Sequence, residues 1–391
     1  MMQRLGRVFL TLTLLTIPFQ LGKHFWPPFS YVWGLPIDYL APTVYLNDIF
    51  LLIAVFIFLV WPKTQKKNFL NKWLVALVVL AGLNILMAAS RPVALWGWLK
   101  LVRVGIIAWL VSQEKTWVKK QLSRIIGFWL LIQSFFVFGQ FLKQASINSL
   151  GWWLGERSFN LTTPGIAKIV FRNGVWLRAY GTFSHPNSLA GFCLLSLFLF
   201  FNTFSKKNKS WWPEIVLVAG GICLLLTFSR TAWLVGLLLL LLSRVRKKAI
   251  WQQALAFGSL VFLPFIFLRF FPNPLAIQER YLLAQAAWDS FLKHPLIGVG
   301  WDNFLADLPN FWVFTNQAKI IIQPVHNLFL LVLSQTGILG LAFCLGILKK
   351  AISPKTIIWW LVIILTGMVD HYWLTLNQNL LLLGVVLGLS F

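Results

Sequence analysis

The chain has 391 residues, 59% of them apolar and only 11% charged, with a formal net charge of +24. Such a composition excludes a soluble multidomain enzyme and points to a polytopic membrane protein. Nucleic acid is excluded as a partner by where the charge sits. Basic clusters at 63–67, 115–120, 206–209, 244–248 and 349–355 fall on every second loop, while eight of the ten carboxylates fall on the alternate loops. That segregation is the positive-inside pattern, with the lysines facing lipid headgroups.

In chain order, the alternation gives about twelve spans with both ends in the cytoplasm. The first lies near 7–22 and is followed by an aromatic, Pro-rich outside loop that ends at Asn47 and Asp48. Spans at 49–62, 70–89, 93–111 and 122–142 lead to an outside loop over 143–182 that carries Glu156, Arg157 and Arg178. The sixth covers 184–204, the seventh and eighth 212–228 and 231–243, and the ninth 249–268. A long outside loop over 269–325 precedes the tenth span at 326–347, and the last two, 356–369 and 373–391, meet at Asp370-His371. The expected fold is therefore all-α, a bundle of transmembrane helices. Cys193, Cys223 and Cys344 sit singly in apolar runs and read as packing residues.

Two features interrupt this plan. The fourth span carries Lys100 and Arg103 at helical spacing within WGWLKLVRVGIIAWL. Two readings stand: the cations face a bundle interior or substrate path, or they lie nearer the interface. The long loop contains Ile277, Tyr281, Trp288, Phe291 and Leu292 on one helical stripe, which predicts an interfacial helix. Pro295, Gly298 and Gly300 then break it.

The motifs lie along this second half. They are Arg178-Ala-Tyr-Gly with His185-Pro186-Asn187, then Thr227-Phe-Ser-Arg230, then Glu279-Arg280 running into His294-Pro-Leu-Ile-Gly-Val-Gly-Trp, and finally His326-Asn327 with Gly337 beyond. In this order and spacing the chain resembles the O-antigen ligase and O-antigen polymerase superfamily. The resemblance covers about 178–345, flanked by an N-terminal unit over 1–177 and a C-terminal one over 346–391. His-x10-Gly is met by His326 and Gly337; Arg-x3-Leu is met by Arg230 and Leu234 but not after Arg280.

The resemblance implies a GT-C-like glycosyltransferase of the bacterial cytoplasmic membrane. It would take a glycan from an undecaprenyl-diphosphate carrier at the periplasmic face and pass it to a glycolipid or lipid-linked saccharide acceptor. The residues suit that chemistry. Arg178, Arg230 and Arg280 stand at the outside ends of spans, where forked donors meet a diphosphate. His326 is the candidate base, with Glu279 either a second candidate base or a charge partner of Arg280. His185 and His294 each precede a proline and read as backbone-shaping residues. No cofactor is expected, and no metal, since the histidines lie far apart in sequence and no Asp-x-Asp pair occurs outside. The alternative is a transporter of an anion or lipid-linked glycan that uses Lys100 and Arg103.

Overall fold

The computed structural model describes residues 1–61, 71–171, 174–204, 211–245, 274–311 and 321–391. The expected ninth span and the lysine clusters at 63–67 and 206–209 lie outside the described residues. Among the described residues, four helices are long and apolar enough to cross a membrane: α4 (Arg91–Gln113), α5 (Lys115–Lys143), α6 (Pro186–Thr203) and α11 (Leu328–Ala351). Shorter apolar helices stand beside them: α2 (Leu46–Val60), α3 (Asn71–Leu86), α7 (Trp212–Leu226), α8 (Arg230–Val245), α12 (Ile357–Gly367) and α14 (Asn377–Ser390). The remaining helices are α1 (Met2–Leu15), α9 (Pro274–Lys293), and two single turns, α10 (Phe304–Asp307) and α13 (Tyr372–Thr375).

A helical membrane bundle is thus what forms, and α6 is the most enclosed of the four long helices. Around it pack α5, α7, α12 and α14 through Trp129, Phe183, Phe192, Phe200 and Trp373, all buried. Small residues allow the closest approach. On α14, Gly384 and Gly388 face α4 so tightly that an added Cβ would lie 3.0 Å from Val104 O and 2.5 Å from Ala108 O.

The all-α expectation needs one amendment. Among the described residues, the segments outside the helices contain three two-stranded antiparallel pieces: β1 (Gly22–His24) with β4 (Thr43–Tyr45), β2 (Tyr31–Val32) with β3 (Leu35–Pro36), and β5 (Lys168–Phe171) with β6 (Gly174–Leu177). Chain beyond the helix ends has to satisfy its own backbone groups, and short ladders do so.

Lys100 and Arg103, both on α4, are neutralised within the fold. Arg103 Nη1 donates to both oxygens of Asp48 at 2.7 and 2.8 Å, and Nη2 to Asn377 Oδ1 at 3.0 Å. Asp48 is also the capping residue that accepts Tyr45 N at 2.8 Å, so one carboxylate starts α2 and anchors α4. Lys100 is ion-paired with Asp302 and reaches Tyr39 O at 3.4 Å.

The Pro-Gly segment after α9 is an insertion into a broken helix. Gly337 sits inside α11 with φ 61° and ψ −166°, which opens the helix. Residues 295–300 enter the gap: Ile338 N donates to Pro295 O at 2.9 Å, while Val299 N and Gly300 N each donate at 3.0 Å to Ser334 O and Gln335 O. Buried Asn84 on α3 completes the seam, donating to Ile297 O at 2.8 Å and Gln335 O at 2.9 Å. Every backbone group freed by such a break needs a partner at membrane depth, and the inserted strand supplies it. Ahead of it, α9 packs its Leu283, Ala286 and Ala287 face inward and leaves Ile277, Tyr281, Trp288 and Leu292 exposed.

Candidate active site

The site lies where the N-termini of α6 and α11 meet the link between α12 and α13. Each side chain is placed by a local device. His185 caps α6, its Nδ1 accepting Asn187 N at 3.1 Å, with Pro186 at the first helical position where a missing N–H does no harm. Asn327 caps α11 by accepting Phe329 N and Leu330 N at 3.0 Å each, and its Nδ2 donates to Met368 O at 3.0 Å. That last bond ties the His326 end of α11 to the 368–371 link.

A continuous polar chain results. Arg178 Nε donates to Thr227 O at 2.9 Å and its Nη2 to Asn187 Oδ1 at 2.5 Å. Asn187 Nδ2 donates to Asp370 Oδ2 at 3.0 Å. Asp370 Oδ1 accepts the His371 backbone N–H at 2.8 Å and lies 3.7 Å from His326 Nδ1. At that separation the contact with His326 is an ion-pair geometry and falls short of a hydrogen bond. His326 Nε2 is 3.3 Å from Gln323 Oε1. The His371 ring is 5.0 Å from that of His326 and 5.7 Å from Tyr39, and its Nδ1 is 2.7 Å from Thr375 Oγ1.

Charge in the cluster is uneven. Burial alone raises the pKa of Asp370, but the neighbouring His326, His371 and His185 outweigh it and hold the carboxyl well below its usual range. Burial lowers His371 to about 3 and His185 to about 4, with Asp370 opposing in both cases. Both are therefore neutral imidazoles at physiological pH. Arg178 is brought down to about 10, by burial first and then by Arg230 and Arg280, and stays charged. The Coulomb influence of Arg280 on Arg178, His185 and His371 places this exposed side chain of α9 within range of the cluster.

The fold thus links Arg178 through Asn187 to the Asp370 beside His326, and Arg230 at the start of α8 and Arg280 on α9 lie within Coulomb range of Arg178. Glu279 is half-buried on α9; the carboxylate beside His326 is Asp370. Lys100 and Arg103 belong to the ion pairs already described. Asn187, Asp370, His371 and Tyr39 escaped the sequence reading. An Asp-His pair at an outside turn, in a chain with only ten carboxylates, was the available signal for two of them.

One premise of the sequence reading fails. Distance along the chain did not keep candidate ligands apart: atoms of His326, Asp370 and His371 all lie within 4.8 Å of one another. Asp370 and His371 are each engaged within the fold, while His326 Nδ1 makes no hydrogen bond. Both Asp370 oxygens accept hydrogen bonds, and His371 Nδ1 is taken up by Thr375.

Residues 215–345 match the family model described as O-antigen ligase. That match supports the resemblance to the O-antigen ligase and polymerase superfamily over about a third of the chain. A comparison with curated proteins finds no match. The O-antigen ligase segment contains Arg230, Arg280 and His326, while Arg178 and Asn187 precede it and Asp370 and His371 follow it. The site is assembled from all three portions. Family and hydropathy together support a glycan transferase of O-antigen ligase kind in a bacterial inner membrane.

Proposed function

We propose that this chain moves a saccharide from an undecaprenyl-diphosphate carrier to a hydroxyl of a glycolipid or lipid-linked acceptor, at the periplasmic face, with inversion and without a metal. The observation that carries the reading is the hydrogen-bonded line from Arg178 through Asn187 to Asp370, whose carboxylate lies 3.7 Å from His326. It sets a fixed cation at one end and a carboxylate-backed imidazole at the other, as a diphosphate leaving group and an acceptor hydroxyl require.

In this scheme the charge of Asp370, 3.7 Å away, favours the His326 tautomer with its N–H at Nδ1, and the acceptor hydroxyl takes the place of Gln323 Oε1 at the Nε2 lone pair. The acceptor oxygen bonds to the anomeric carbon as the bond from that carbon to the diphosphate oxygen breaks. The acceptor proton passes to His326 Nε2, and the charge on the departing diphosphate is met by Arg178, Arg230 and Arg280. Arg178 retains unbound N–H groups for this, since the structure engages only Nε and one position on Nη2.

The transport reading would use Lys100 and Arg103, which are paired here with Asp302 and Asp48. Purified protein in liposomes supplied with a lipid-linked oligosaccharide and a glycolipid acceptor provides the test. Release of undecaprenyl diphosphate with formation of a glycosylated acceptor is expected; movement of intact donor across the bilayer without bond breakage would sink the proposal.

A further inference from the structure

Outside the site, the most conspicuous surface is the turn Ser149–Leu154 that follows α5. Leu150 is 73% exposed, Trp152 67% and Trp153 72%, three large apolar side chains within six residues. We propose that this turn is seated in the lipid leaflet on the side the site faces, with Leu150, Trp152 and Trp153 at the boundary between headgroups and acyl chains.

Continuity with the lipid-facing side of α5 is the first argument. Phe135, Phe138 and Leu142 repeat at intervals of three and four and are all exposed, so they form one outward stripe on a membrane-crossing helix. The stripe ends at Lys143, whose Nζ donates to Ile147 O at 3.2 Å. The turn follows directly, at the depth where the helix leaves hydrocarbon and where tryptophan is enriched.

Second, the turn is held in shape for display. Gln144, Asn148 and Ser149 take left-handed φ values of 54°, 62° and 49°, which side chains other than glycine adopt at some expense of energy. Buried Glu156 overrides the strain: it accepts Ile147 N at 2.7 Å, Asn148 N at 2.8 Å and Gln140 Nε2 at 2.8 Å. Gly151 lies against the same carboxylate, and its missing Cβ would sit 2.0 Å from Glu156 Oε2. A turn fastened this firmly, yet with its apolar side chains turned out, is built to meet an apolar medium.

The third argument is a link to the site. Gln140 is fully buried, and besides donating to Glu156 through Nε2 it accepts Tyr180 N at 2.9 Å and Gly181 N at 2.8 Å on Oε1. Arg178 stands two residues before Tyr180. Seating the turn therefore fixes the depth of that arginine. The aliphatic Leu150 and the lack of polar side chains between it and the tryptophans favour lipid over a saccharide as occupant.

The test is nitroxide depth measurement on Leu150→Cys and Trp153→Cys, in a Cys193→Ala, Cys223→Ala, Cys344→Ala background, in phosphatidylcholine–phosphatidylglycerol vesicles. Phe138→Cys supplies the lipid reference and Ser158→Cys the aqueous one. Labels at 150 and 153 should favour oxygen over a water-soluble nickel chelate, as the label at 138 does. Chelate access equal to that at 158 overturns the proposal, as does protection that appears only when a soluble oligosaccharide is added. Should the cysteine-free background not fold, the native chain is compared with Trp152→Phe/Trp153→Phe in brominated phosphatidylcholine. Emission assigned to the pair by difference should fall by at least half; unchanged emission overturns the proposal.

Discussion

His326 Nδ1 stands 3.7 Å from Asp370 Oδ1, although one residue opens α11 and the other follows α12. Nothing local forces this meeting. It depends on Asn327, which caps α11 and at the same time holds Met368 O, and on Asn187, which fixes the other Asp370 oxygen from α6. Three helices thus converge on one carboxylate, and the imidazole beside it inherits its orientation from all three.

The buried imidazoles give the fold an acid limit. His185 and His371 have folded pKa values of about 4 and about 3 against an ordinary 6.5, so over that window the unfolded chain binds more protons. Their contribution to stability is complete above about 6.5 and is lost as pH falls toward 4 and then 3. Asp370, held below the usual carboxylate range, acts with the same sign at still lower pH. The melting temperature in detergent should fall steadily from pH 7 to pH 4.5, and less steeply in His371→Gln. A flat profile in the native chain would contradict this account.

Gly337 is required by the break in α11. An alanine there would keep φ 61° and place its Cβ 2.3 Å from the Leu296 carbonyl carbon. Strain and clash together should destabilise by about 2–4 kcal/mol. Gly82 on α3 has nothing within 4 Å of its would-be Cβ, so Gly82→Ala should be neutral or slightly stabilising. Thermal melts of the two variants separate a special backbone position from a generic glycine effect; equal behaviour would refute it.

The sequence made the helices legible, because hydropathy and the alternation of basic loops are local signals. Helix α11 was expected over 326–347 and runs Leu328–Ala351; α6 was expected over 184–204 and runs Pro186–Thr203. The interior of the site was not legible in the same way. Asp370-His371 carries no motif, and its partners Asn187 and His326 come from other parts of the chain. The ion pairs Lys100–Asp302 and Arg103–Asp48 were hidden for the same reason: each joins segments whose contact only packing determines.

The His326–Asp370–His371 grouping makes metal dependence a sharp question. If the three act as a hydrogen-bonded relay, saturating chelator should leave transfer at its untreated rate, and added Zn²⁺ should bring no gain. Activity abolished by chelator and restored by one divalent ion would convert the relay into a metal site.

Arg178 and His326 should fail in different ways. Lysine at 178 keeps a charge but cannot serve Thr227 O and Asn187 Oδ1 from one planar group while facing a diphosphate. Arg178→Lys should therefore weaken donor-lipid binding and transfer together. His326→Ala should leave donor binding nearly intact and cut transfer by roughly 10²–10⁴-fold, the usual worth of a general base. Asp370→Asn keeps the shape but only one of the two acceptor oxygens, and it removes the charge beside His326, so it should follow the His326 pattern. Arg280→Ala should resemble Arg178→Lys, and Arg280→Lys should not restore activity. Donor affinity and transfer rate measured on the same membrane-inserted variants distinguish the two classes. If His326→Ala transfers at a near-normal rate, the base lies elsewhere, and Glu279 on α9 is the residue to substitute next.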